Sequence, residues 1–237
     1  MTLARMPPIV SLDLATIELP ADHPAASDRS VAVHGFLVDH PDGAILVDTG
    51  VGFGNEFIDE VYRPRRAELA GLLATLGVDL RDVVAVVNSH LHFDHCGQNP
   101  ALFASSTAFY AQSVEIESVT ADPYYTDAGW ALAPEEQRRA LRGDEQIADG
   151  VTVLATPGHT PGHQSLLVEA ADRRAIIGAQ VAWHRDELDA EVASTANVDP
   201  VPELQRAAVA SIRRLKALRP EVVHLSHCAA YRPEAVA

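Results

Sequence analysis

The segment His90-Leu91-His92-Phe93-Asp94-His95 places three imidazoles and one carboxylate in consecutive turns of a very short stretch. Neutral imidazole nitrogen and carboxylate oxygen are ligands for a divalent transition metal at about 2.0–2.2 Å, and a metal so held lowers the pKa of its water to about 7. Zinc suits this donor set, and iron, manganese or cobalt would also accept it. The run before it, Val83-Val84-Ala85-Val86-Val87, has the composition of a strand buried on both faces, and Asn88-Ser89 end it. The ligands therefore emerge at the C-terminal edge of a sheet. His90 and His92 alternate toward one side, whereas Asp94 and His95 break the alternation and can turn to a second cation.

Two more strand ends carry histidine. Val151 to Leu154 leads into the rigid loop Thr156-Pro157-Gly158-His159-Thr160-Pro161-Gly162-His163, and Val222-Val223-His224-Leu225 ends in Ser226-His227-Cys228. A fourth strand, ending Leu46-Val47, runs into the tight Asp48-Thr49-Gly50 turn, which Asp48 can cap.

In order and spacing these four segments, with Gln164-Ser165 after the third, resemble the metallo-β-lactamase superfamily, most closely its N-acyl homoserine lactonase-like hydrolases. The resemblance implies an α+β fold, the αββα sandwich of two mixed β-sheets packed face to face and flanked by helices. It assigns His90, His92 and His159 to one metal and Asp94, His95 and His227 to a second, with Asp48 behind the ligand loop steering it. Two zinc ions per chain are expected, with one metal, or iron, manganese or cobalt, as alternatives. Hydroxide would attack a lactone or ester carbonyl of a small-molecule substrate, and Asp94 would orient the water and carry a proton to the leaving group. The alternatives are a β-lactam or amide hydrolase with the same six ligands, and a metal-binding sensor without catalysis. A homodimer is a further possibility that the resemblance raises.

The chain departs from this family at one place. Members carry an aspartate bridging both metals on the strand after the third motif, but here Ala175-Ile176-Ile177-Gly178 runs into Ala179-Gln180-Val181-Ala182-Trp183. Gln180 stands at the aspartate position and Trp183 where lactonase-like members have a substrate-contacting tyrosine. A neutral amide is a weaker ligand than a carboxylate and leaves two dications less well screened from each other. The loss argues against a mononuclear iron dioxygenase, and His92, where flavodiiron proteins have glutamate, argues against those.

Composition agrees with a globular enzyme. The chain has 237 residues, 47% of them hydrophobic, enough for one domain spanning 1–237. A net charge of −15 argues against a nucleic-acid partner, since such readers present basic patches; Arg63-Pro64-Arg65-Arg66 is expected only as a solvated helix start. The N-terminal residues lack the apolar core of a secretory signal, and no run is long enough to cross a bilayer, so a cytoplasmic, membrane-free protein is expected. Its two cysteines, Cys96 and Cys228, each follow an expected ligand and are expected to be reduced.

Val31 to Val38 and Ala44 to Val47, joined by His40-Pro41-Asp42-Gly43, are expected to form a hairpin. Helices are expected over Arg65 to Leu76, over about Pro134 to Leu141, and over Pro202 to Leu218, where Leu204, Ala208, Ile212 and Leu215 mark an apolar face. An insertion at about 111–150 would overhang the metals, and its Tyr124, Tyr125 and Trp130, with Trp183, could line a substrate surface. Phe53 and Phe57 are similar candidates. His23, His34, His40, His163, His184 and His224 are expected to be ordinary surface or hydrogen-bonded residues, His163 lying nearest the site.

Overall fold

The alternation of apolar residues along the strands sets up two faces per sheet. The computed structural model describes residues 6–122, 125–171 and 173–233. Its first sheet holds β1 (Ile9–Glu18), β2 (Ser30–His40), β3 (Gly43–Val47), β4 (Arg65–Arg66), β5 (Val83–Val87), β6 (Ala108–Gln112) and β7 (Arg138–Leu141), in the order β4-β1-β2-β3-β5-β6-β7. The second holds β8 (Glu145–Ala148), β9 (Val151–Ala155), β10 (Gln164–Ala170), β11 (Arg173–Ala179) and β12 (Val222–Leu225), in the order β12-β11-β10-β9-β8. Antiparallel and parallel pairs occur in both sheets, so both are mixed.

Between the sheets, Phe36, Val38, Ile45 and Val87 meet Val153, Leu166 and Ile177. Their sequence neighbours Leu37, Leu46 and Val86 face the other way, against α1 (Glu56–Tyr62) and α2 (Leu69–Thr75). On the far side of the second sheet, Leu154, Leu167 and Ile176 pack on Leu188 of α6 (Arg185–Ala190) and on Ile212 and Leu215 of α7 (Pro202–Ala217). The layers are thus helix, sheet, sheet, helix. Three short helices, α3 (Phe93–Cys96), α4 (Ser113–Ala121) and α5 (Ala128–Ala131), lie near the strand ends that carry the histidines.

The hairpin and α7 form as expected, with Pro202 in the first turn and Leu218 as the C-cap. Three local expectations fail. Arg65 and Arg66 are not helical: they pair with Thr16 and Ala15 at the edge of β1, and α2 begins at Leu69. The charged segment 134–141 is a turn followed by β7, which pairs in parallel with β6. At a sheet edge the backbone ladder supplies the hydrogen bonds while Arg138 and Arg139 keep contact with solvent, so tertiary pairing overrides helix propensity. Val84 is 43% exposed, because the register of β5 against β3 slips at its first residues.

No helix among the described residues is long and apolar enough to cross a membrane. Leu166 is fully buried between the sheets, where a smaller side chain leaves a cavity the two faces cannot close. Leu166→Ala is expected to cost about 2–5 kcal/mol of stability, read as a lowered urea midpoint.

Candidate metal centre

Five strand ends deliver the polar residues to one edge of the sandwich. β3 ends at Asp48, β5 leads to His90–His95, β9 to the His159 loop, β11 to Gln180 and β12 to His227. Two of these deliveries use a left-handed backbone at a non-glycine residue, Asp48 at φ 62° and Ala179 at φ 49°. Each such residue costs of order 1 kcal/mol or more. Hydrogen bonds hold both turns: Asp48 N donates to Val87 O, and Ser226 N donates to Ala179 O. The turn after Asp48 packs directly on α3; a Cβ on Gly97 would collide with the Gly52 nitrogen, so only glycine permits that approach.

His90, His92 and His159 converge, with His92 Nδ1 lying 3.0 Å from His90 Nε2 and 3.1 Å from His159 Nε2. Asp94, His95 and His227 converge likewise, with Asp94 Oδ2 at 3.5 Å from His95 Nε2 and 3.7 Å from His227 Nε2. Gln180 Oε1 sits between the latter two imidazoles, 3.0 Å from each, and its amide nitrogen lies 3.4 Å from His159 Nδ1. Gln180 therefore stands between the two trios.

The outward edges of these rings show what the inward edges need. Asp48 accepts Ser89 N–H and Ser89 Oγ–H, each at 2.7 Å, and His95 Nδ1–H at 2.7 Å. Ser89 Oγ, its proton thus committed, accepts His90 Nδ1–H at 3.1 Å. His159 Nδ1–H donates to Asn197 O and His227 Nδ1–H to Ala32 O. With the outward nitrogens fixed as donors, the inward Nε2 atoms of His90, His159 and His227 present lone pairs in their neutral rings. Asp94 Oδ2 and Gln180 Oε1 face His227 and His95 at 3.0–3.7 Å, and His92 Nδ1 faces His90 and His159 at 3.0 and 3.1 Å. About 3.3 Å is the edge of a tetrahedron around a dication with ligands at 2.0–2.1 Å. Each trio is a donor set that could hold a metal ion.

Charge tells the same story. Burial holds the imidazoles of His90 and His159 well below 6.5 and that of His227 at about 4, the neutral form a ligand requires. Burial opposes ionisation of Asp94, yet His95, His227 and His92 bring its carboxyl below the usual value. His95 is the exception: burial lowers it, but Asp94 and Asp48 on either side raise it to about 9, so this spot favours positive charge.

Residues 30–227 match the family model of the metallo-beta-lactamase superfamily. The chain belongs to this superfamily. An N-acyl homoserine lactonase of Bacillus thuringiensis is 30% identical over 193 residues, covering 76% of this chain and 74% of that protein. N-acyl homoserine lactonase AttM of Rhizobium radiobacter is 30% identical over 209 residues, covering 76% and 77%. A solved N-acyl homoserine lactone hydrolase, with the product N-hexanoyl-L-homoserine at its catalytic metal centre, gives a TM-score of 0.76 at 25% identity over 96% of this chain and 94% of that one. The superfamily is metal-dependent, and this chain's donor groups agree with it.

Around the centre, the other expected residues divide. Trp183 borders the cavity above the metals, its ring 4.6 Å from His227 and its Nε1–H donating to Asp28 at 2.9 Å. Tyr125 lies 4.8 Å from the His92 ring and borders the same cavity, as does the exposed Phe57. Tyr124 lies outside the described residues. Trp130 does not border the cavity: it is buried in the outer core against Gly52, this flat residue filling the space the glycine leaves. Phe53 lies under Arg66 instead of on the cavity wall. Only the part of 111–150 before Leu132 adjoins the site; the remainder builds β7 and β8. His163 is no ligand. Its Nδ1 pairs with Thr156, and burial takes it to about 3 behind His90. Cys96 and Cys228 are free, and Cys96 Sγ donates to backbone carbonyls of the ligand loop.

Sequence reasoning missed Glu115. Fully buried on α4, it accepts Leu91 N–H, Thr160 Oγ–H, Gly162 N–H and the Tyr125 hydroxyl, tying the ligand loops of both sheets together. A Cβ on Gly162 would strike Glu115. A lone glutamate in a helix carries no spacing signal, and its partners lie far off in sequence.

Asp48→Asn is expected to weaken metal binding about 10- to 100-fold in a chelator competition, since the amide presents His95 with a weaker acceptor. Gln180→Asp is expected to tighten the second equivalent of metal by at least about tenfold in the same titration.

Proposed function

We propose that this chain is a binuclear metallohydrolase that opens neutral lactones, or cleaves neutral esters, bearing an apolar arm. One observation carries the substrate reading. A cavity of about 1000 Å³ borders His92, Asp94, His159 and Gln180, and its wall runs outward through Ile17, Leu19, Ile58, Tyr62, Phe93 and Leu204. No lysine or arginine among the described residues lines it, whereas Asp127 and Asp199 do. A β-lactam antibiotic carries a carboxylate that asks for a cationic partner, and none is offered here. An uncharged lactone with an acyl or alkyl chain meets apolar surface instead, at about 25 cal/mol per Å² buried. The lactonase relatives, whose names give N-acyl homoserine lactones as substrates, support the same class.

Two dications, with zinc as the proposed metal, fit a set of imidazoles with one carboxylate and one amide, which is too nitrogen-rich for magnesium or calcium. Bound there, they supply water of lowered pKa and polarise the carbonyl. Asp94 borders the cavity as a carboxylate, orients the attacking water and carries its proton to the leaving oxygen. His90, His95, His159 and His227 are held by their outward hydrogen bonds and, with His92, would bind the ions as neutral imidazoles, His95 giving up its proton to the cation. Tyr125, tied to Glu115, and Trp183, tied to Asp28, act as fixed walls that place the substrate. Nothing in the wall calls for a nucleic acid or a lipid surface, and a cytoplasmic setting is proposed with it.

The test is elemental analysis of the purified protein together with turnover of N-acyl homoserine lactones, alkyl γ-lactones and β-lactams. About two metals per chain and lactone turnover that His92→Ala abolishes are expected. Turnover of β-lactams alone would overturn the substrate reading, and His92→Ala retaining full activity would overturn the site.

A further inference from the structure

Hydrolysis of an alkyl ester or lactone ends with a poor leaving group, an alkoxide that needs a hydrogen-bond donor as the bond breaks. Two donors of the cavity wall are committed elsewhere. Trp183 Nε1–H is given to Asp28 and the Tyr125 hydroxyl to Glu115. His23 is different. It borders the same cavity, half-buried, with its ring 5.9 Å from that of Trp183. Its Nδ1 accepts the backbone N–H of Ala25 at 3.0 Å, which places the proton of the neutral ring on Nε2. Nε2 is at the opposite edge of the ring and has no protein partner among the described residues.

The loop that carries His23 is closed on itself. His23 N donates to Pro20 O, Ala26 N to His23 O, and Leu19 N to Arg29 O. Asp28, in the same loop, grips Trp183. One short segment therefore fixes both the indole beside His227 and the imidazole beside the indole.

On the hydrolase reading above, we propose that His23 is a substrate-contacting residue whose neutral Nε2–H donates a hydrogen bond to the leaving oxygen of the substrate. As the tetrahedral adduct collapses, the carbon–oxygen bond breaks and its electron pair passes to that oxygen. The oxygen takes the proton carried by Asp94, while His23 keeps its own. The neutral ring acts as an oriented dipole aimed at the developing charge. Burial keeps the imidazole below 6.5 against the opposing pull of Asp94, Asp22 and Asp28, which agrees with a donor uncharged at neutral pH.

The experiment compares a γ-lactone, whose leaving alkoxide needs support, with 4-nitrophenyl acetate, whose leaving phenolate does not. Wild type, His23→Phe, His23→Gln and Tyr62→Phe are assayed as metal-loaded proteins, each checked for metal content. His23→Phe is expected to lose about 10- to 100-fold more kcat/KM on the lactone than on the nitrophenyl ester. His23→Gln, which keeps an N–H at similar reach, is expected to recover most of that difference. Equal losses on both substrates would reduce His23 to a packing role and overturn the inference. The same outcome follows if the differential appears in Tyr62→Phe and not in His23→Phe, since Tyr62 carries the other hydroxyl of that wall. Wild-type protein that hydrolyses neither substrate would overturn the hydrolase reading itself, and this inference with it.

Discussion

Everything at the active edge depends on where the outward-facing ring nitrogens of four histidines are tied. His95 is bound to Asp48, His90 to Ser89, His159 to the Asn197 carbonyl and His227 to the Ala32 carbonyl. Each tie orients a ring and turns its other nitrogen inward, toward the place where a cation would be held. Without those ties the same residues would be a loose histidine cluster, free to rotate and to hydrogen-bond with one another. The chain meets the cost in backbone strain at Asp48 and Ala179, and recovers it through the hydrogen bonds that hold those turns.

The ties also explain why two sheets are needed. Asp48 and Ser89 come from the first sheet, whereas Asn197 follows the second, and Ala32 of the first sheet holds His227 from the second. Metal binding thus couples to packing of one sheet on the other. Glu115 strengthens the coupling, because its two oxygens bridge the His90–His95 loop and the Thr160–Gly162 loop. A buried carboxylate with several donors around it is satisfied in place and expensive to leave unpaired.

The ligand motifs were legible because metal ligation demands particular residue types at strand ends, and strands as apolar as β5 and β12 declare themselves. The layer architecture followed from the family resemblance, while the pattern of the strands alone supported only a mixed class. What was illegible has a common cause. Ser89, Glu115, Asp28 and His23 act through partners that folding brings near from distant sequence, and no spacing announces them. Trp130 misled in the opposite sense: an aromatic residue in a polar loop invites a binding role, but Gly52 opens a slot that only core packing fills. The segment 134–141 misled because its charges suit a solvated helix and an edge strand equally, and pairing with β6 decides between them.

Gln180 and Trp183 are best understood together. They lie three residues apart after the same left-handed turn, and by the family resemblance each stands where relatives carry a group used for charge or proton transfer. On the function proposed above, two dications beside the Gln180 amide would keep one more unit of positive charge than a carboxylate there would leave them. That residual charge would weaken retention of the second ion and would strengthen polarisation of an uncharged carbonyl, since its Coulomb effect at close range is several kcal/mol even at an effective dielectric of about 20. Replacing phenol by an indole anchored on Asp28 removes the nearby proton donor and puts an apolar plate over His227. Both features support the proposed substrate, one that is itself uncharged and held by surface contact. An anionic substrate would gain from the exposed charge of the ions but would meet Asp127 and Asp199 on its way in, and the protein's overall charge of −15 adds to that repulsion. On the function proposed above, the acidic residues of the cavity wall would disfavour anions, and a neutral carbonyl is the group that bound ions would polarise.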